Sequence, residues 1–215
     1  MTQEISPWDA SGMKDNNKRF KARVYAFLEN IVEDKPRHAL FLNMLSMLEH
    51  LGSRKIMVSQ MNKIMTQDTL QHLAEEARHA YFFKRNAERV AGKALDGWTD
   101  KNTMCRIPSA MYFGRMDAGI TKTVGEEKAY GWVSLIIELR ACWLYDIYQS
   151  VLEKSSDHMS LKSLLAEEDK HLAEMFGMCG DDYDTLKKLS AYETELFEKL
   201  WSTLEKNHSE LKQTA

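Results

Sequence analysis

Beyond about residue 15 the apolar positions return every three or four residues over long runs, the period of helices packed on one side rather than of strands. Residues 1 to about 15 are polar and read as an arm. Asp15 or Asn16 can cap a first amphipathic helix that turns Phe20, Val24, Phe27, Leu28 and Ile31 inward and stops near Asp34. Pro36 suits the first turn of a second helix, which carries Leu42, Leu45, Glu49 and Ile56 at helical spacing as far as about Gln60. Thr66 or Asp68 can cap a third, running through LAEEARHAYFFKRNAERVA to a stop at Gly92. From there to Gly125 the string contains Gly97, Pro108, Gly114 and Gly119, which predicts a long connection with one short helix around SAMYFGRM. A helix from about Glu126 to Leu152, a loop at KSSD (154–157), a helix from about Ser160 to Gly177, and a last amphipathic helix from about Tyr183 to Glu205 complete the pattern. The expectation is an all-α fold in one domain over 1–215, with a core at about 36–177 and accessory helices at about 16–34 and 183–205.

Composition sharpens this picture. With 215 residues, 44% of them hydrophobic, the chain can bury one sizeable core, and only three prolines and ten glycines favour helices over loops and strands. A net charge of -3 with scattered Lys and Arg leaves no basic footprint for phosphates, so nucleic acid is not expected as a partner. Three widely spaced cysteines, Cys105, Cys142 and Cys179, form neither a disulfide framework nor a thiolate metal cluster. The polar start and the lack of any membrane-length apolar run predict a cytoplasmic protein without a spanning segment.

Chemistry enters through two related strings. LAEEARH at 73–79 and LAEEDKH at 165–171 agree at five of seven positions, and each sets a Glu three residues before a His. At that spacing both side chains lie on one helix face, so Glu76 with His79, and Glu168 with His171, can each bind one metal ion. Spacing alone is weak, since a chain of this composition gives roughly 0.6 such pairs by chance. A third pair, Glu205 and His208 in the polar string LEKNHSELK, has no apolar neighbours to turn it inward and reads as coincidence.

The other two pairs are each preceded by an apolar helix that contains a single Glu: Glu49 in FLNMLSMLEHLG and Glu138 in WVSLIIELRACWL. A carboxylate in such a stretch needs a partner, because charges are rarely buried unless paired or metal-bound. If each pair of helices is an antiparallel hairpin, its midpoint falls near residue 62 or 153, at the predicted turns. The lone Glu and the Glu-x-x-His motif then stand at one height, about 20 Å from the turn at 1.5 Å per residue. Four Glu and two His meet at one level of the core.

The order Glu, Glu-x-x-His, Glu, Glu-x-x-His on four helices with one long connection resembles the ferritin-like di-iron carboxylate proteins. The resemblance implies a four-helix bundle with one long crossover. It also implies two metal ions bridged by Glu76 and Glu168, with His79 and His171 binding one each and Glu49 and Glu138 as terminal ligands. Two His motifs place the chain nearer rubrerythrins, bacterioferritins and di-iron oxygenases than storage ferritins, and the absence of Cys-x-x-Cys removes a rubredoxin-type iron domain. Carboxylates with one imidazole per metal make iron the leading choice, with manganese–iron and dimanganese pairs as alternatives.

Two functions follow. One is an oxidase or oxygenase that activates dioxygen against a small organic substrate. The other is iron handling or peroxide defence without an organic substrate. Tyr145, seven residues past Glu138 on the same face, is a candidate neighbour of the site with core packing as the stronger reading; Cys142 and His50 are read as packing and as pointing elsewhere. Glu75 and Glu167 are expected outside the ligand set, some 100° around the helix. Met104, Tyr112, Phe113 and Met116 in the long connection are candidates to cover an apolar substrate channel or the bundle end. The terminal helices could form a homodimer interface, and the electron donor has no motif here.

Overall fold

The computed structural model describes residues 5–63 and 65–213, with side chains as far as Ser209. Among the described residues the chain forms eight helices and no strand: α1 (Pro7–Ser11), α2 (Met13–Val32), α3 (Lys35–Gln60), α4 (Gln67–Ala91), α5 (Arg106–Val124), α6 (Glu126–Leu152), α7 (Lys162–Cys179) and α8 (Tyr183–Gln213). None is long and apolar enough to cross a membrane.

Several boundaries follow from local chemistry. Asp34 accepts the Arg37 backbone N–H at 3.3 Å and Pro36 occupies the first turn of α3. Thr66 caps α4 by accepting from the Thr69 N–H at 3.2 Å, and Gly92, at φ 65°, ends it in the left-handed conformation that glycine adopts without penalty. α3 packs along α4 and α6 along α7; α5 lies across α6 and α8, and α2 fills the space between α6 and α8.

Three expectations change. The polar arm is helical from Pro7, apart from a break at Gly12, because Ala10 and Met13 are buried and give this short segment an inward face; its first four residues lie outside the described chain. The long connection contains a 19-residue helix, α5, where only a short one was expected. Pro108 sits in its first turn, where no helical N–H bond is lost, and Gly119 lets α8 approach: a Cβ there would lie 2.5 Å from the Tyr192 ring. Finally, the tail after Glu205 continues α8 to Gln213. His208 is buried, its ring centroid 5.6 Å from Phe27, and Glu205 pairs with Arg23 at 2.5 Å, so this third Glu-x-x-His serves packing between α8 and α2.

His38 on α3 shows how the packing fixes a protonation state. It is fully buried, hydrogen-bonded to the Tyr148 hydroxyl, and its Nδ1 is 3.7 Å from Asp157. Burial pulls its pKa from 6.5 to about 4 against the pull of Asp157. The folded protein therefore holds fewer protons than the unfolded chain between those values, and stability is lost as pH falls from 6.5 toward 4, by up to about 3 kcal/mol. Urea unfolding of metal-free protein at pH 7 and pH 5 should show about 2 kcal/mol lost through this group. A His38→Gln variant is expected to lose that part of the pH dependence.

Candidate metal centre

α3, α4, α6 and α7 bring all six sequence-predicted residues together. Glu49, Glu76, His79 and Glu168 form one group, and Glu76, Glu138 and His171 join a seventh residue, His72, in a second. Within each group one ligand atom per residue lies within 4.8 Å of the others, and Glu76 belongs to both. His79 Nδ1 is 3.1 Å from Glu168 Oε1 and 3.8 Å from Glu76 Oε1. On the other side His171 Nδ1 is 3.6 Å from Glu76 Oε1, and His72 Nε2 is 3.3 Å from Glu138 Oε1 and 3.6 Å from Glu76 Oε1. None of the seven is more than 7% exposed.

The donor atoms fit divalent cations. Glu76 Oε1, His79 Nδ1, Glu138 Oε2, Glu168 Oε1 and His171 Nδ1 are buried without a hydrogen-bond partner. Each such orphan costs roughly 1–3 kcal/mol unless something else satisfies it, and four of them face one another: His79 Nδ1 lies 3.1 Å from Glu168 Oε1, and the Nδ1 atoms of His79 and His171 lie 3.8 and 3.6 Å from Glu76 Oε1. Four carboxylates there carry a formal charge that two divalent ions neutralise. Without cations the chain balances the charge with protons. Burial, with the neighbouring carboxylates, holds the Glu49 and Glu138 carboxyls well above the usual range. Burial opposes the charged form of His79, yet Glu168, Glu49 and Glu76 beside it raise its pKa to about 10.

A ring of outer contacts orients the side chains of the two groups. The Nε2 of His79 is 2.9 Å from Glu167 on α7, and the Nε2 of His171 is 2.7 Å from Glu75 on α4. Each helix thus supplies, one residue before the Glu it adds to the buried groups, the carboxylate that holds the opposite helix's histidine. Donation from Nε2–H leaves Nδ1 as a lone-pair donor facing the centre. Arg78 lies 2.6 Å from Glu167 and 3.9 Å from Glu75 and joins the two. The Tyr130 hydroxyl does the same for His72, 3.0 Å from its Nδ1, and Tyr145 donates to Glu49. Glu75 and Glu167 lie outside both buried groups, while Tyr145 does more than pack, since it donates to Glu49 of one of them. Cys142 packs in the core, and His50 stacks on Trp98 at 4.5 Å.

His72 is the residue that the search for Glu-x-x-His pairs passed over. It stands four residues before Glu76, on the same face of α4, in the string HLAEEARH.

An apolar cavity of about 80 Å³ opens against Glu49, Glu76, Glu138 and Glu168, several times the space one water needs. Its other walls include Leu48 of α3, Phe113 and Met116 of α5, Ile137 and Leu144 of α6, and Leu204 of α8. Tyr112 lines it as well, whereas Met104 packs elsewhere in the core.

No family model, no curated protein and no solved structure matches the chain.

Proposed function

We propose that this protein is a ferritin-like di-metal carboxylate oxidase or oxygenase, with iron at both positions, that uses dioxygen to oxidise a small apolar organic molecule. The bundle part of this reading is supported by α3 pairing with α4 and α6 with α7, each pair carrying one lone Glu and one Glu-x-x-His. Glu49, Glu76, His79, Glu138, Glu168, His171 and His72 would hold the ions, and the hard oxygen-rich donor set suits iron. Two ferrous ions bound there would supply two of the four electrons that take dioxygen to water, and the organic molecule would supply the other two.

The observation that carries the choice of an organic substrate is the cavity. Apart from the four carboxylates, Arg140 and the tyrosines Tyr112 and Tyr145, its walls are apolar, so a bound molecule would be largely desolvated and set against the carboxylates. Phe113 and Met116 exclude water from one side, and Leu144 and Leu204 from another. A polar, closed core would instead have favoured iron handling or peroxide chemistry.

Anaerobic loading with ferrous iron is expected to give two ions per chain, one for each buried group. Oxygen uptake should then depend on adding small apolar molecules. Repeated oxidation of ferrous ion at a rate indifferent to such molecules would replace this reading with iron handling, and failure to bind iron would end both. Ala141 lines the cavity, and Ala141→Phe should fill it while leaving iron content at two per chain. Displacing a substrate by about 1 Å costs roughly 100-fold in rate, so substrate-dependent oxygen uptake should fall by about that factor; an unchanged rate would mean that the cavity is not the substrate site.

A further inference from the structure

The two halves of the centre are related by the duplicated strings, and the duplication is broken at one telling position. His72 precedes Glu76 by four residues on α4; the equivalent residue before Glu168 on α7 is Leu164, buried in the core. The outer contacts keep the symmetry: Glu75 holds His171, and Glu167 holds His79. Only the inner donors differ. One group offers three carboxylates and one imidazole, Glu49, Glu76, Glu168 and His79. The other offers two of each, Glu76, Glu138, His171 and His72.

The placement of His72 is that of a ligand. Its ring is 3% exposed and lies 4.2 Å from the ring of His171, centroid to centroid. Its Nε2 faces Glu138 and Glu76 at 3.3 and 3.6 Å, while its Nδ1 is taken by the Tyr130 hydroxyl. His171 Nδ1, buried without a hydrogen-bond partner, faces the same two carboxylates, 3.6 Å from Glu76 Oε1 and 3.9 Å from Glu138 Oε1.

We infer that His72 is a third histidine ligand, and that it makes the two metal positions chemically unequal: the His72 half favours the later, nitrogen-preferring divalent ion, and the Glu49 half accepts a harder one. Across the divalent series affinity rises from manganese through iron to cobalt, and imidazole accentuates that order while carboxylate and water suit manganese. The centre is thereby built to sort two different ions as well as to hold two alike. This inference rests on the di-metal reading above, but its test does not depend on activity.

The probe is cobalt(II), loaded without oxygen to two per chain and then displaced by manganese(II), with cobalt followed by its visible absorption and by metal content. The parent protein should release cobalt in two steps, separated by about tenfold or more in manganese concentration, a difference of about 1.4 kcal/mol. His72→Leu copies the residue already accommodated at the equivalent place on α7, and circular dichroism checks its fold. It should lose the retained cobalt and release all of it in a single early step. His72→Gln keeps an amide able to donate to Glu138, so a histidine acting only as a hydrogen-bonding neighbour would be replaced by it. Loss of the retained step in the glutamine variant supports ligation; its survival in either variant, or single-step release from the parent, overturns the inference alone. No cobalt or manganese binding by the parent overturns the inference and the di-metal reading together.

Discussion

Glu76→Ala is expected to abolish paired-metal binding, because Glu76 is the one side chain shared by both groups. Its loss removes a donor from each position and the carboxylate that links them. The consequence should be visible in stability as well as in metal content. An ion that binds only the folded state at 100 times its dissociation constant adds about 2.7 kcal/mol, so two add about 5 kcal/mol. At about 2–4 °C per kcal/mol for a chain of this size, metal should raise the melting temperature of the parent by roughly 10–20 °C. In Glu76→Ala that rise should nearly vanish. In metal-free protein the isosteric Glu76→Gln removes one of four crowded carboxyl groups, which relieves Glu49 and Glu138 but also takes a neighbouring carboxylate from His79, so its stability should stay close to that of the metal-free parent. Elemental analysis and paired thermal melts check both. Unchanged stoichiometry in Glu76→Ala would remove this ligand assignment, and Glu205→Ala, in the pair that packs α8 on α2, should leave metal binding as it is.

The residues of the two buried groups were legible because their spacing falls within single helices. Glu76 with His79 and Glu168 with His171 are fixed at i and i+3, and Glu49 and Glu138 stand out as charges in apolar runs. Helix ends with local signals, Asp34 with Pro36, Thr66 and Gly92, were legible for the same reason. Features decided between helices were not. The glycine at 119 reads as a loop signal until α8 is laid against it, where Tyr192 leaves no room for a Cβ. The burial of His208 depends on Phe27 and Arg37 from other helices. Likewise the crossed pairs, His79 with Glu167 and His171 with Glu75, need the relative register of α4 and α7, which neither helix encodes alone. His72 is a different case. Its i and i+4 relation to Glu76 was present in the string, and aligning HLAEEARH with LLAEEDKH, residue for residue, would have exposed the one histidine that has leucine as its counterpart.

A second large effect is expected away from the metal, at the ion pair of Arg140 and Glu193. Arg140 is 5% exposed and Glu193 fully buried, and the guanidinium meets the carboxylate through two contacts of 2.8 and 2.7 Å. Asn17 accepts from Arg140 at 2.9 Å, the Tyr112 hydroxyl donates to Glu193 at 2.5 Å, and the guanidinium lies 3.9 Å over the Phe197 ring. One charge pair thus ties α6 to α8, α2 and α5 at the wall of the cavity, two residues from Glu138. Removing one partner strands the other charge in a dry interior, which costs about 3–5 kcal/mol. Glu193→Ala should therefore lower the melting temperature by roughly 6–20 °C at 2–4 °C per kcal/mol. Replacing both charges, as in Arg140→Met with Glu193→Leu, removes the desolvation cost together with the attraction and should recover most of that loss. Urea unfolding of Arg140→Met, Glu193→Leu and the double variant gives the coupling directly. A single variant that costs less than about 1 kcal/mol, the range of an exposed pair, would mean that water reaches these charges. The double variant should also still bind two metal ions, since neither residue belongs to the buried groups around Glu76; loss of metal there would mean that the pair sets the position of Glu138 on α6 and does more than hold the helices together.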